Sequence, residues 1–157
     1  LLKKQEGYKL AEVKGKASSA FASNWENKII ELGKNTFGWK SLKLNFGKKL
    51  VTMTVTETNG KSYELPFGYQ QWITTTFDSY PPYSITPIDR FKGLEGPYYA
   101  SGSYAWISKE ELQLKAHYVN WVSALEITFH LEENGEVKLN VQTNYIKKPY
   151  ANIGKIK

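Results

Sequence analysis

The sequence predicts an antiparallel all-β domain, and three observations carry that expectation. Aromatic residues make up 15% of the chain, with eleven Tyr, seven Phe and five Trp; such side chains favour strands, where bulky groups pack across a pleated surface. Apolar and polar residues alternate over most of the chain after Trp25, the period of a half-buried strand. Asn59-Gly60 and Asn134-Gly135 each separate two alternating runs. That dipeptide is a strong short-range hairpin signal, because a type I′ turn needs positive φ at both positions.

In chain order, Leu42, Leu44 and Phe46 alternate with polar residues, as do Val51, Met53 and Val55, and then Tyr63, Leu65 and Phe67. Leu125, Ile127, Phe129 and Leu131 lead into the second Asn-Gly, and Val137, Leu139 and Val141 lead out. The expected strands are 25–32, 40–46, 49–57, 61–67, 71–77, 98–106, 110–119, 122–132 and 135–144. About nine strands, each with one apolar face, must roll into a barrel or flatten into a barrel or sandwich of two packed sheets, a lipocalin-like architecture. Short connections make sequence neighbours antiparallel neighbours in space. Residues 1–23 read as an N-terminal arm or linker, with Leu10, Val13 and Ala17 at the spacing of a short helix. Residues 24–148 form the β domain, and 149–157 read as a basic C-terminal tail. The connection 78–97 holds Pro81, Pro82, Pro87 and Pro97 together with Tyr80, Tyr83 and Phe91; its length suits either a functional loop or a lid over one end of a barrel.

Charge and composition narrow the function classes. The formal net charge is +6, but residues 17–145 hold 12 basic and 13 acidic side chains. The excess therefore sits at the two ends of the chain, whereas nucleic-acid binders place a basic patch on the fold itself, and no nucleic-acid partner is expected. Without cysteine there is no thiolate ligand or nucleophile, and no apolar run is long enough for a membrane-spanning helix. The two histidines, His117 and His130, fall on outward strand positions and are too few to suggest a metal site. No cofactor fingerprint occurs. Glu110-Glu111 and Glu132-Glu133 flank turns, where solvated charge is the ordinary state. Asp89 and Glu95, in the long connection, are the best general-acid candidates, and neither has a positioned partner. The sequence thus points to a domain with no active site of its own. In Ser101-Gly102-Ser103 the small side chains suit a strand that passes close to a packed neighbour.

Asn35-Thr36-Phe37-Gly38, Leu65-Pro66-Phe67-Gly68 with Trp72, Ala100-Ser101-Gly102-Ser103-Tyr104-Ala105-Trp106 and Leu112-Gln113-Leu114-Lys115-Ala116-His117-Tyr118 occur in that order. Over roughly residues 25–148 this pattern resembles the C-terminal all-β accessory domain of bacterial serine hydrolases of the β-lactamase and penicillin-binding-protein-like group. The resemblance implies an extracytoplasmic domain whose main partner is an upstream catalytic domain of the same chain. The Ser-x-x-Lys and Lys-Thr-Gly elements of such catalytic domains are absent here, and Tyr150-Ala151-Asn152 matches their Tyr-x-Asn element without any nucleophile. The chain departs from the accessory-domain pattern at Ile73-Thr74-Thr75 and Asn120-Trp121-Val122.

A second reading is a stand-alone small-ligand or carbohydrate-binding module. Tyr63, Trp72, Tyr104, Trp106 and Tyr118 fall on expected inward or mouth-facing positions of the barrel. Aromatic rings with polar tips suit a small amphipathic ligand or a sugar, and they equally suit an ordinary packed core.

Overall fold

The structure, a computed structural model, describes residues 10–79, 81, 96–121 and 123–157. A short 3-10 helix, Ala20–Asn24, precedes ten strands. These are β1 (Ile29–Leu32), β2 (Trp39–Phe46), β3 (Leu50–Glu57), β4 (Ser62–Tyr69) and β5 (Ile73–Phe77), followed by β6 (Tyr98–Trp106), β7 (Glu111–Tyr118), β8 (Ala124–Leu131), β9 (Glu136–Thr143) and β10 (Tyr150–Ile156). The alternation read from the sequence is the burial pattern of these strands. Leu42 and Leu44, Val51, Met53 and Val55, and Val137, Leu139 and Val141 are all buried, with partly or fully exposed residues between them.

Both Asn-Gly dipeptides do turn hairpins, but by a different geometry from the one their sequence suggests. Positive φ occurs at Gly60 (86°) and Gly135 (84°), not at the asparagines. The Glu57 N–H donates to the Lys61 carbonyl and the Glu132 N–H to the Glu136 carbonyl, so each loop has three residues. This is the hairpin that ends in a left-handed glycine. Each asparagine carboxamide oxygen then accepts from the backbone N–H two residues on, at Lys61 (2.8 Å) and Glu136 (2.9 Å).

The strands form one sheet in the order β4-β3-β2-β1-β10-β9-β8-β7-β6-β5, and a further pairing of β4 with β6 closes it. The closed ring therefore has nine strands, and β5 lies outside it, bonded along β6. All neighbours are antiparallel except β4 and β6, which run parallel at Gly68–Ser103 and Tyr69–Tyr104. An odd ring cannot alternate direction all the way round, so one parallel contact follows from leaving β5 out.

Two expectations about the chain ends are corrected. Residues 149–157 are not a tail, because Tyr150–Ile156 is β10, which lies between β9 and β1 and completes the ring. Its sequence, with Gly154 and Lys155 in the middle, hides the alternation. Gly154 is needed there, since a Cβ would stand 2.5 Å from Ile30 Cγ2. At the other end, residues 10–19 hold no α-helix; apart from a single bridge between Lys16 and Trp106, their course is irregular. The 3-10 helix then tucks Phe21 and Trp25 under the barrel, and 25–28, expected as strand, forms the turn into β1.

That plugged end also holds Phe46 against Trp106, with ring centroids 5.8 Å apart. The opposite end is an aromatic cluster. Tyr63 stacks on Phe77 at 5.4 Å, Phe77 meets Tyr118 at 5.5 Å, and Tyr98 meets Trp121 edge-on at 5.6 Å. Between the ends, Leu44, Met53, Phe67, Tyr104, Leu114 and Phe129 are completely buried, so at their level the barrel is filled with side chains.

The crossing of β4 over β6 depends on Gly102, where a Cβ would lie 2.3 Å from the Pro66 carbonyl oxygen and 2.8 Å from Phe67 Cδ1. Gly102→Ala should destabilise the fold by about 1–3 kcal/mol, the usual cost of overpacking. Urea unfolding monitored by tryptophan fluorescence measures this directly, and an unchanged midpoint would show that the crossing has slack.

Candidate functional site

The five aromatic residues nominated from the sequence do not converge on one cavity. Tyr63 and Tyr118 belong to the aromatic end, on either side of Phe77. Tyr104 and Trp106 are buried within the barrel towards its plugged end. Trp72 is not inward-facing. Ile73 opposes the inward Gly102, while Trp72 belongs to the β4–β5 turn, where Gln70 takes a φ of 54°. Its ring rests on the outer wall, edge-on to His117 at 5.1 Å.

The polar tips of Trp72 and Tyr104, together with that of the neighbouring Tyr69, instead hold the N-terminal arm. The Trp72 Nε1–H donates to the Leu10 carbonyl (3.0 Å), the Tyr69 hydroxyl to the Gly15 carbonyl (3.0 Å), and the Tyr104 hydroxyl to the Ala17 carbonyl (2.9 Å). Lys16 and Trp106 exchange both backbone hydrogen bonds at 2.9 Å. The Val13 N–H reaches the Ser103 hydroxyl at 3.4 Å, and the Val13 side chain is buried. The outward face of β6 permits this because Ser101, Ser103 and Ala105 are small, and all three are buried. Gly15 fits most closely, since a Cβ would sit 2.2 Å from the Trp106 carbonyl oxygen. The edge of β6 opposite β7 is thus taken in turn by β5, β4 and the arm.

At the aromatic end the chemistry is different. The Tyr118 hydroxyl is fully buried and finds no hydrogen-bond partner among the described residues, and the Ser123 hydroxyl is in the same state. Burial pushes the Tyr118 phenol well above its ordinary pKa, helped by Tyr63 and Tyr145. Burial likewise raises Tyr63, with the charge of Glu57 adding to it. Ser79 donates to the Glu57 carboxylate beside this cluster.

The remaining titratable candidates are surface groups. Glu111 faces His130 Nδ1 at 3.5 Å, and Lys109 lies 3.8 Å from Glu110. Lys138 pairs with Glu132, and the hydrogen bond from Lys138 holds that carboxyl below its ordinary range. His117 is lowered by partial burial and by Lys115. Among the described residues no three metal-ligating side chains converge, and no helix is long and apolar enough to cross a membrane. Asp89 and Glu95, like most of the 78–97 connection, lie outside the described residues.

The arm-binding residues Tyr69, Val13 and Gly15 escaped sequence reasoning. Tyr69 does continue the alternation of Tyr63, Leu65 and Phe67, but nothing local shows that residues 10–17 will cross β6.

These features define the class of the molecule: a closed β-barrel of nine strands, with a tenth on its flank and an N-terminal arm strapped to its wall. No protein-family model matches the chain, and comparison with curated proteins finds no relative.

Trp72→Phe keeps an aromatic ring at the position and removes the indole donor, so the arm should open more often by at least the worth of one hydrogen bond, about 1 kcal/mol or fivefold. Hydrogen exchange at residues 13–16 should accelerate accordingly while exchange in β8 stays unchanged. Tyr118→Phe removes a buried, unpartnered hydroxyl and should leave the thermal midpoint unchanged or raise it by the equivalent of about 1 kcal/mol. A fall of several degrees would mean that the hydroxyl is bonded in solution.

Proposed function

We propose that this barrel is a non-catalytic accessory domain of a β-lactamase-like serine hydrolase, acting outside the cytoplasm, and that it docks on or orients a catalytic domain joined upstream. The observation that carries this reading is the strapped arm. Hydrogen bonds to the backbone of residues 10–17, from residues 54 to 90 positions away, fix the direction in which the chain enters the barrel. A free linker would tether an upstream body without orienting it, whereas a strapped one transmits a fixed geometry.

The surface around the entry point fits a docking role. Leu10 is exposed beside Trp72, and Tyr99 and Val119 are exposed one step further along the same wall, with the Val119 N–H bonded to the Tyr99 carbonyl. Apolar side chains gathered where a covalently joined body would sit are the natural core of an interdomain contact.

The test is to treat the natural polypeptide carrying this domain with fluorophosphonate and penicillin-type probes and to map the modified residue. Labelling of a serine upstream of residue 10 is the expected result. Absence of labelling, or labelling of a serine within 10–157, would overturn the proposal.

A further inference from the structure

A second surface, on the far side of the ring from the arm, has the makings of a ligand site. The pairing of β1 with β10 stops at Leu32–Gly154, so residues 150–153 have β9 on one side and no strand on the other. The odd-numbered residues of β10 present their backbone to that side, as the bond from the Lys157 N–H to the Ile29 carbonyl shows. Ala151 and Ile153 therefore offer main-chain donors and acceptors along a strand edge. The loop after β1 folds towards this gap and is pinned there. The Tyr150 hydroxyl donates to the Lys34 carbonyl (3.0 Å) and the Asn152 amide to the Gly33 carbonyl (3.3 Å).

The result is a groove of about 690 Å³. Its floor runs through Ala151 and Thr128, small residues flanked by the longer Lys34, Lys138, Asn140 and Ile153. Thr128 and Asn140 lie side by side on adjacent strands, and among the described residues no hydrogen bond engages either side chain. Ile153 is exposed. Electrostatics add a sign. Among the described residues no carboxylate forms an ion pair with Lys34, which lines the groove, whereas Lys155, two residues beyond Ile153, lies in register between Glu31 and Glu136. Lys138, the other lysine of the lining, is paired with Glu132, so Lys34 is the cation the groove offers among its described lining. The carboxylate on the rim, Glu111, is engaged by His130.

We propose that this groove binds an extended carbohydrate bearing carboxylate groups, a uronic-acid-type chain. A sugar ring has an apolar face to set against Ala151 and Ile153 and an equator of hydroxyls for Thr128, Asn140 and the strand edge, a combination of apolar contact with a few placed polar groups. The carboxylate lies over Lys34. Tyr150-Ala151-Asn152, which matched a catalytic element in the sequence, here lines the groove.

The test is a titration of the whole, isotopically labelled chain with oligogalacturonate, and separately with a neutral malto-oligosaccharide, followed by amide chemical shifts. Saturable shifts at Thr128, Asn140, Ala151 and Ile153 with oligogalacturonate are expected. Lys34→Ala and Asn140→Ala, both surface changes, should each weaken binding about tenfold, the worth of one well-placed polar contact in a small-ligand site, while the rest of the spectrum stays in place. Shifts confined to other faces, or affinity unchanged in both variants, would overturn the site. Equal binding of the neutral chain would overturn the assignment to an acidic sugar, and no saturable shift with either probe would overturn the proposal as a whole.

Discussion

Closure of the ring at β6 is the constraint on which the rest of the molecule depends. That strand must pair with β7 on one edge and share its other edge among β5, β4 and Lys16. Three partners can follow one another only where β6 carries little bulk, and its sequence supplies this on both faces. Inward, Gly102 lets the Pro66 carbonyl and the Phe67 ring approach. Outward, Ser101, Ser103 and Ala105 leave a channel for the arm. Pro66 completes the arrangement. The Tyr69 N–H donates to the Lys49 carbonyl, so the odd-numbered residues of β4 face β3, and the missing N–H of Pro66 falls on the side of β6, where the ladder begins only at Gly68. Proline is tolerated in a strand at such an edge.

The aromatic residues follow from the same closure. A buried tyrosine or tryptophan contributes a large apolar body and a polar tip that must find a partner. Tyr104 and Trp72 find theirs in carbonyls of the chain's own arm, which in turn satisfies backbone groups that would otherwise lie unpaired on the wall. The residue types that suggested an amphipathic ligand thus serve an amphipathic segment of the same polypeptide, because an extended backbone presents the same mixture of acceptors and apolar side chains. At the other end the Tyr118 hydroxyl has no such partner among the described residues, and burial is the main cause that raises its phenol, with Tyr63 and Tyr145 adding to it.

Charge is redistributed by the fold in a way that composition cannot show. The lysines of 147–157 are close in sequence, but β10 carries Lys155 into the ring, and Lys157, just beyond the strand, pairs with Glu31 at 2.7 Å. Salt bridges of this exposed kind add little stability. What matters more is Lys34, which has no ion-pair partner among the described residues and lines a groove that opens because β1 is only four residues long.

The sequence by itself determined the all-β class, most of the strands and which side of each faces the core, since alternation over eight residues at β7, β8 and β9 leaves one solution that buries Leu114, Ile127 and Leu139 together. It also determined that Ser101-Gly102-Ser103 would sit at a close approach. The tertiary structure decided the rest. The turn geometry at Asn59-Gly60 differs from the two-residue form because the pairing of Thr56 with Ser62 leaves room for one more residue. Strand β10 is invisible locally, since Gly154 and Lys155 break its pattern and only the vacancy between β1 and β9 gives it a place. The outward position of Trp72 and the path of the arm depend on contacts more than fifty residues apart in sequence, which no periodicity within a window can encode.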